Sequence, residues 1–440
     1  MRARSLPFLL FAGLAACTPD ASSAPDTARL VLRPPSNGEA EWTAHYTFTQ
    51  PRSEMVFLRS RGDYRTDSWR PLDRGVRLTR IGLQDHLRFD TPAREARFAF
   101  RPVAGPFSRT YDPSLTFTDG GVALYLDQFS LLPLDALTAR WGKALTLPTA
   151  QPGDFQPDEA ARTPLRVTLD TAARTVFGTQ AQSGPLSVCI GCGQDTPAYV
   201  YLGDTPLTDG ESFTSLIDPG LPDWLGEALD QSIAESFATL TAMFGDTLSD
   251  KGQLIANFKG YALSGHSQSG SIADNMMILS FEGSAFGERN SAIADSLANF
   301  IAHEAAHLFQ MRHVDFAYDD PWLHEGHATA MAYSVNRVAA GMLPPDTQAR
   351  QDQEDAECQT ALVEATLRDA LRDKPYSCGQ RVWRSLATSG EDLAKLWDSM
   401  IATADGVPLS ETHLLASLPD PAPLRTALDL SGNAALDALK

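Results

Sequence analysis

The chain has 440 residues and a formal net charge of −19, from 55 acidic and 36 basic side chains. This length allows two domains, each with a hydrophobic core of its own. Nucleic-acid binding needs basic patches, which so acidic a chain does not favour, and we therefore expect no nucleic-acid partner.

The first 17 residues have the composition of an export signal. Arg2 and Arg4 precede a short apolar run, which closes with Leu-Ala-Ala-Cys at positions 14–17. The run is too short to span a membrane as a stable helix and has the proportions of a signal peptide. Leu-Ala-Ala-Cys resembles the lipobox of bacterial lipoproteins, which implies that residues 1–16 are removed and that Cys17 carries a lipid. An ordinary cleaved signal peptide is the alternative.

The lipobox resemblance also implies a location. Thr18 rather than Asp follows Cys17, and in the lipoprotein sorting pattern this implies an exported, lipid-anchored protein in the outer membrane or periplasm of a Gram-negative host. The membrane contact would be made through the lipid on Cys17. Residues 17–27 are rich in Pro, Ser and Ala and lack large apolar side chains, as a tether does.

Residues 28–212 are predicted to form a β-rich amino-terminal domain. Short alternating, β-branched or aromatic runs are separated by Gly, Pro or polar breaks, a pattern typical of strands. The predicted strands are 29–32, 42–48, 54–59, 76–81, 96–101, 115–117, 122–126, 165–169 and 198–202. We interpret this domain as an antiparallel sandwich or saddle-shaped sheet with a scaffolding role.

Four cysteines remain if Cys17 is lipidated, and an even number in an oxidising compartment indicates two disulfides. Cys189 and Cys192 form a CxxC, which we interpret as a bridge within a small loop. A redox pair or half of a zinc knuckle is the alternative, although the sequence has no second CxxC to complete a knuckle. Cys358 and Cys378 are the other candidate pair.

Residues 213–440 are predicted to form a second, mostly helical domain with a small sheet. A helix is expected at 224–244, followed by strands at 254–263 and 276–281 that a Ser/Gly-rich connection joins. Further helices are predicted at 291–313, 323–340, 347–372, 379–387 and 391–402, with a short helical tail to the end of the chain.

The helix at 291–313 carries an HExxH motif at 303–307. Its apolar residues recur at helix period, and Asn290 is a suitable N-cap. On a helix His303 and His307 are one turn apart, so both imidazoles project from one face and can bind one metal ion. Glu304 lies beside them, where it could take a proton from a metal-bound water. A cluster of buried structural histidines is the alternative.

A second helix start could supply a third metal ligand. Asp320 is a plausible N-cap and Pro321 suits the first helical position. Glu325 then lies in the first turns, eighteen residues after His307. Two antiparallel helices joined by a short loop could bring Glu325 to the two histidines and complete a His2Glu zinc site with an open fourth position.

HEAAH followed by WLHEGHAT at 322–329 resembles the gluzincin zinc metallopeptidases, the class of thermolysin, aminopeptidase N and leukotriene hydrolase. The resemblance implies that His303, His307 and Glu325 bind zinc and that Glu304 is the catalytic base. It also implies an α+β chain, in which a thermolysin-like, mostly α-helical catalytic domain with a small sheet follows the antiparallel β domain. The interval between His307 and Glu325 is 17 residues, one fewer than in the aminopeptidase N group, and His324 replaces the usual Asn.

The same resemblance implies that an edge strand before the HExxH helix holds the substrate backbone by β-addition. Aminopeptidases of this group carry Gly-x-Met-Glu-Asn there, and its Glu grips the free amine of the substrate. The corresponding stretch here, 270–275, has no Glu. Asp274 or the nearby Glu282 could substitute, or both could be solvated surface carboxylates, so aminopeptidase and endopeptidase activity both stay open.

Two further residues gain candidate roles. Pro375-Tyr376-Ser377-Cys378-Gly379 resembles the Pro-Tyr-Glu-Lys-Gly stretch of aminopeptidase N and leukotriene hydrolase, which implies that Tyr376 donates to the oxyanion. A buried tyrosine at a helix start is the alternative. A Cys358–Cys378 disulfide would hold Tyr376 in place. Thr329, one turn after Glu325, could hydrogen-bond a metal ligand or simply pack.

These residues predict a zinc-dependent peptide hydrolase with one Zn²⁺ per chain and a peptide or protein substrate. By zinc chemistry, a zinc-bound water would attack the scissile carbonyl while Glu304 takes its proton and returns it to the leaving amine. Tyr376 would then donate to the oxyanion. The alternative is a zinc-containing surface lipoprotein that binds peptide or protein without cleaving it, and a module without metal is a third reading. No oligomeric state is predicted.

Overall fold

The structure is a computed structural model. It describes residues 27–35, 41–60, 62–82, 84–103, 111–134, 162–192, 198–210, 213–245, 248, 251–273, 275–311, 320–404 and 407–439. The predicted signal peptide and the predicted lipidation site, Cys17, lie outside these residues. Within them, every helix is too short or too polar to cross a bilayer.

The amino-terminal region consists of two sheets. Its elements are β1 (Ala28–Arg33), β2 (Trp42–Phe57), α1 (Tyr64–Ser68), β3 (Trp69–Pro71), β4 (Val76–Ile81), β5 (Gln84–Phe100), β6 (Ser114–Thr116), β7 (Val122–Tyr125), a 3₁₀ turn (Leu126–Phe129), β8 (Leu131–Pro133), β9 (Leu165–Leu169), β10 (Arg174–Phe177), β11 (Gln180–Ser183), β12 (Leu186–Ile190) and β13 (Tyr199–Leu202). The first sheet has the order β12-β9-β1-β2-β5-β3, with β4 added on β5 and β8 on β2. The second has the order β11-β10-β13-β7-β6. All pairs are antiparallel except β1 with β9.

These sheets differ from the prediction in several places. The runs at 42–48 and 54–59 belong to one long strand, β2, which pairs with β5 through register shifts between Thr47 and Glu54. Its middle is mostly exposed, so the backbone ladder continues where the hydrophobic alternation stops. Strands β3, β8 and β10 to β12 and the first part of β5 were not predicted. Of these, β11 has only exposed residues. Hydrophobic pattern cannot reveal a strand that buries no side chain.

The carboxy-terminal region consists of a small mixed sheet and a set of helices. Its elements are β14 (Thr208–Asp209), β15 (Phe213–Ile217), α2 (Asp223–Phe244), β16 (Gly252–Phe258), β17 (Ser267–Ala273), β18 (Met276–Glu282), a 3₁₀ turn (Ser284–Gly287), α3 (Ser291–Gln310), α4 (Pro321–Ala340), α5 (Pro345–Ala361), α6 (Leu367–Asp373), α7 (Ser377–Leu386), α8 (Gly390–Ala404), α9 (Glu411–Ser417), α10 (Ala422–Leu428) and α11 (Gly432–Ala438). The sheet order is β14-β15-β16-β18-β17. An antiparallel β region followed by a mostly helical region with a small sheet confirms the predicted fold class.

Two local predictions in this region were wrong. Most of the Ser/Gly-rich connection is the edge strand β17, which pairs antiparallel with β18. It was missed because its outer residues are small and polar. The helix predicted at 347–372 is two helices, α5 and α6, because Thr366 starts a new helix by accepting a hydrogen bond from the backbone N–H of Asp369.

The core of the carboxy-terminal region unites the sheet with the helices around it. The apolar stripe of α3 lies in this core, with Leu297, Ile301, Ala305 and Leu308 all buried. Because this stripe fixes the rotation of α3, the histidines on the neighbouring stripe turn toward α4. Disulfides join Cys189 to Cys192 and Cys358 to Cys378.

The two regions are joined at the buried side chain of Asp218. Its carboxylate accepts hydrogen bonds from the backbone N–H and the hydroxyl of Thr118, which follows β6. It also accepts from the backbone N–H groups of Gly220 and Phe258, at 2.9 Å and 3.1 Å. A separate apolar cluster lies between the second amino-terminal sheet and the small sheet of the carboxy-terminal region. The first contributes Leu115 and Tyr201, and the second contributes Ile255 and Ile278.

Candidate active site

Helices α3 and α4 bring two imidazoles and one carboxylate together. Asn290 caps α3 by accepting a hydrogen bond from the backbone N–H of Ile293 at 3.2 Å, as expected from the sequence. The Nε2 atoms of His303 and His307 are 3.1 Å apart. Oε2 of Glu325 lies 3.3 Å from Nε2 of His303 and 3.2 Å from Nε2 of His307. The three side chains form a group that could hold a metal ion, with ligand atoms all within 4.8 Å of one another.

The electrostatics of this group favour a cation at its centre. Burial would raise the pKa of Glu325, but the two histidines outweigh it and hold that pKa well below its usual range. Burial alone would lower the pKa of His307. The negative charges of Glu325 and Glu304 outweigh burial and raise that pKa to about 9. Imidazole nitrogens and a carboxylate oxygen are ordinary ligands of zinc, so the donor set fits Zn²⁺.

Thr329 orients the first histidine. Its hydroxyl donates to the backbone carbonyl of Glu325 at 2.8 Å. The oxygen of that hydroxyl also lies 3.3 Å from Nδ1 of His303, and with its proton already used it accepts from an Nδ1–H there. His303 then presents Nε2 to Glu325 and His307. This contact is the one expected of Thr329 if it acts on a metal ligand.

Glu304 lies in the protein interior beside the group, with 7% of its surface exposed. Burial raises the pKa of its carboxyl, against the smaller and opposite effect of His303 and His307. Gly270, on β17, lies directly over it: a Cβ atom at Gly270 would be 2.5 Å from Cζ of Phe300 and 3.3 Å from the carboxyl carbon of Glu304. A larger residue at position 270 would have to push Phe300 and Glu304 aside, so glycine suits this close approach of the edge strand.

Tyr376 stands at the open side of the group. Its ring centroid is 5.8 Å from that of His303, and 47% of the residue is exposed, so it is not the buried helix-start tyrosine considered as the alternative. Two glycines set this distance. A Cβ on Gly326 would lie 2.5 Å from Cα of Gly379, so α4 and α7 cross in close backbone contact between Glu325 and Tyr376. The Cys358–Cys378 bond ties the start of α7 to α5.

The edge strand β17 is closed at one end by the amino-terminal region. The hydroxyl of Tyr111 donates to the backbone carbonyl of Ile272 at 2.8 Å. Backbone groups two residues apart in a strand point to the same side, so those of Gly270 also point to the open edge. Asp274, one candidate for the amine anchor, lies outside the described residues. Glu282 pairs with Ser267 at the far end of β17 and, by strand alternation, faces away from α3.

A buried hydrogen-bond chain behind His307 was not predicted. Gln310 and His327 have no exposed surface. Gln310 contacts Nδ1 of His307 and Nδ1 of His327, both at 2.7 Å, and His327 contacts the backbone carbonyl of Leu393 at 3.3 Å. Burial lowers the pKa of His327 to about 3, so this imidazole is neutral. One feature of the sequence points to this hydrogen-bond chain. Five of the nine histidines fall between His303 and His327, which is more histidines than one set of metal ligands needs.

His324, which replaces the asparagine of the aminopeptidase N group, is not part of the metal-binding group. Its ring centroid lies 5.6 Å from that of His307. Burial lowers the pKa of His324 to about 4, against the opposite effect of Glu325. This side chain is therefore a neutral imidazole beside the site.

Comparison with solved structures finds a fold similar to that of an aminopeptidase N family protein. An aminopeptidase N family protein from Idiomarina loihiensis is similar over 93% of this chain and 78% of its own, with 10% identity and a TM-score of 0.54. An M1 zinc metallopeptidase from Deinococcus radiodurans is similar over 94% and 92%, with 17% identity and a TM-score of 0.43. Yeast LTA4 hydrolase is similar over 89% and 64%, with 12% identity and a TM-score of 0.48. No protein-family model and no curated protein matches the chain.

Proposed function

We propose that this protein is a zinc-dependent peptide hydrolase. One observation carries the proposal: His303, His307 and Glu325 converge on one point, with the buried carboxyl of Glu304 beside them. The aminopeptidase N-like fold supports it. Zinc held by these three side chains would supply a Lewis acid that activates water and polarises a carbonyl.

Glu304 would act as the general base and then as the general acid. Its burial raises the pKa of its carboxyl, which makes the carboxylate a stronger base than an exposed one. It would take a proton from the attacking water and deliver that proton to the leaving amine. Tyr376, beside His303, would donate its hydroxyl proton in a hydrogen bond to the oxyanion.

The edge strand β17 would hold the substrate. Gly270 turns its backbone N–H and C=O to the open edge beside Glu304, so an extended peptide can pair there by β-addition. Antiparallel pairing is the more stable kind per residue. In that direction the amino-terminal side of the peptide runs toward Ile272, whose carbonyl Tyr111 already occupies. This contact favours substrates with few residues before the scissile bond, as in an aminopeptidase.

Cleavage profiling of the purified protein tests the proposal. We expect a defined peptide library to be cut near free amino ends, activity to disappear with a chelator, and zinc to restore it. Amino-acetylated copies of the same peptides serve as the matched control and should be cut more slowly. Peptide binding without any cleavage at full zinc occupancy would favour the non-cleaving surface lipoprotein instead. Equal cleavage of free and acetylated peptides, at internal bonds, would identify an endopeptidase.

Tyr376→Phe tests the oxyanion donor. Loss of one such donor is expected to lower kcat by roughly 10²-fold, because the phenyl ring keeps the packing against His303 but cannot donate. Zinc content and thermal stability should stay as in the unmodified protein. The control is Tyr261→Phe, which removes another exposed tyrosine hydroxyl. Normal turnover in the Tyr376 variant would contradict the assignment.

The lipid anchor stays a proposal from the sequence. Cys17 and the apolar run before it lie outside the described residues. We propose that the mature protein begins at Cys17 and is exported and held at the outer membrane of a Gram-negative host by the attached lipid, with residues 17–27 as a tether.

A further inference from the structure

The orientation of the Gln310 amide is determined by a backbone carbonyl. Its Nε2 lies 3.0 Å from the carbonyl oxygen of His324, and a carbonyl can only accept, so this atom is the donor. Oε1 is then the atom that lies 2.7 Å from Nδ1 of His307. Because an amide oxygen cannot donate, Nδ1 of His307 carries a proton in either charge state of the ring.

A second backbone carbonyl determines the other end of the chain. The remaining N–H of Gln310 points to Nδ1 of His327 at 2.7 Å, which must therefore accept. His327 then carries its proton on Nε2 and donates to the carbonyl of Leu393 on α8 at 3.3 Å. Each hydrogen bond from His307 through Gln310 and His327 to Leu393 therefore has a fixed donor and a fixed acceptor.

Packing holds the chain in place. The His327 ring lies 4.7 Å from the Trp383 ring and 4.6 Å from the Trp397 ring, so α7 and α8 confine it from two sides. Water cannot replace a lost partner easily, since Gln310 and His327 are fully buried. A loss at His327 therefore leaves Gln310 with an unsatisfied donor rather than a hydrated one.

We infer that Gln310 and His327 are positioning residues that hold the lone pair of His307 Nε2 toward His303 and Glu325. The inference rests on the proposed zinc site. Outer hydrogen-bond partners of metal-binding histidines fix the tautomer and the ring orientation, and their loss typically weakens metal binding about 10- to 100-fold. Gln310 acts directly on His307, and His327 acts through Gln310.

A double-mutant cycle tests this chain. Gln310→Met keeps the side-chain length without hydrogen bonds, and His327→Phe keeps an aromatic ring between the two tryptophans. We expect each variant to weaken zinc binding by about 10- to 100-fold in competition with a chelator. In the Gln310→Met background, His327→Phe should add little, because its effect passes through Gln310. Additive effects in the double variant, or unchanged zinc affinity in the Gln310 variant, would overturn the inference.

Asn336→Leu provides the matched control. Asn336 on α4 donates to Asn299 on α3 at 3.2 Å, so it joins the same two helices through a buried amide. Its loss should lower the melting temperature without changing zinc affinity. If the Asn336 variant also lost zinc affinity, general loosening of the helix pair would explain the Gln310 effect.

Nitrogen-15 NMR of zinc-free protein separates this inference from the proposed function. In the unmodified chain, His307 should show an Nδ1–H that exchanges slowly with solvent, and Gln310→Met should lose that protection. If the unmodified protein bound no zinc but showed the protected proton, the proposed function would fail while the orienting chain stood. Fast exchange of the His307 Nδ1–H in the unmodified protein would contradict the hydrogen-bond chain, whether or not the protein binds zinc.

Discussion

Glu304→Gln is expected to lower kcat by roughly 10²- to 10⁴-fold, the usual contribution of a positioned acid–base group. The amide has nearly the same shape as the carboxyl, so it fits under Gly270, but it cannot take a proton from water. Zinc affinity should change little, because Glu304 is not one of the three side chains that converge on the metal position. Metal analysis together with steady-state kinetics on a peptide substrate measures both quantities.

A carboxylate on the other side of the sheet supplies the control for this variant. Glu282 is partly buried at the end of β18 and faces away from α3. Glu282→Gln removes one negative charge from the same region and should leave kcat unchanged. A Glu304 variant as active as the Glu282 variant would exclude Glu304 as the base.

Glu325→Ala is expected to remove both bound zinc and activity. The change takes away one of three converging ligands and also the carboxylate that does most to raise the pKa of His307. Two histidines alone do not complete a zinc site of this kind. Zinc content should fall from about one per chain toward zero, and hydrolysis should fall to the uncatalysed rate.

Thermal melting gives an independent measure for this variant. A ligand that binds only the folded state raises its melting temperature, so zinc should stabilise the unmodified protein and not the Glu325 variant. Glu282→Ala is again the control and should keep the zinc-dependent shift. Full zinc content in the Glu325→Ala protein would show that another residue supplies the third ligand.

Local pattern was sufficient to predict the central part of the candidate site. His303, Glu304 and His307 lie within two turns of one helix, so helix period alone places them together. Asn290 caps α3 as predicted, whereas Asp320 stands at the N-cap position of α4 without a side-chain capping hydrogen bond. The convergence of Glu325 with the histidines follows from pairing two adjacent helices. The predicted fold class was confirmed for a similar reason, since runs of strands precede runs of helices along the chain.

The parts of the site and fold that were not predicted depend on contacts between residues far apart in the sequence. Local sequence pattern does not show such contacts. Gln310 and His327 meet only after α3 and α4 pack, and each alone reads as an ordinary helix residue. Gly326 and Gly379 are 53 positions apart, and their contact is visible only in the crossing of α4 and α7. The strand β17 was not predicted because it forms by pairing with β18 and shows no hydrophobic alternation of its own.

The buried contact at Asp218 bears on how the two regions of this fold can be rearranged in evolution. The carboxylate sits in the carboxy-terminal region but takes two of its hydrogen bonds from Thr118 in the amino-terminal one. Tyr111, also in the amino-terminal region, donates a hydrogen bond to β17, the strand proposed to hold the substrate. Moving residues 213–440 onto an unrelated partner domain would leave a buried anion short of donors and an apolar sheet face uncovered. The helical region is therefore not expected to fold stably on another partner domain. The two regions are expected to be inherited, exchanged and lost together.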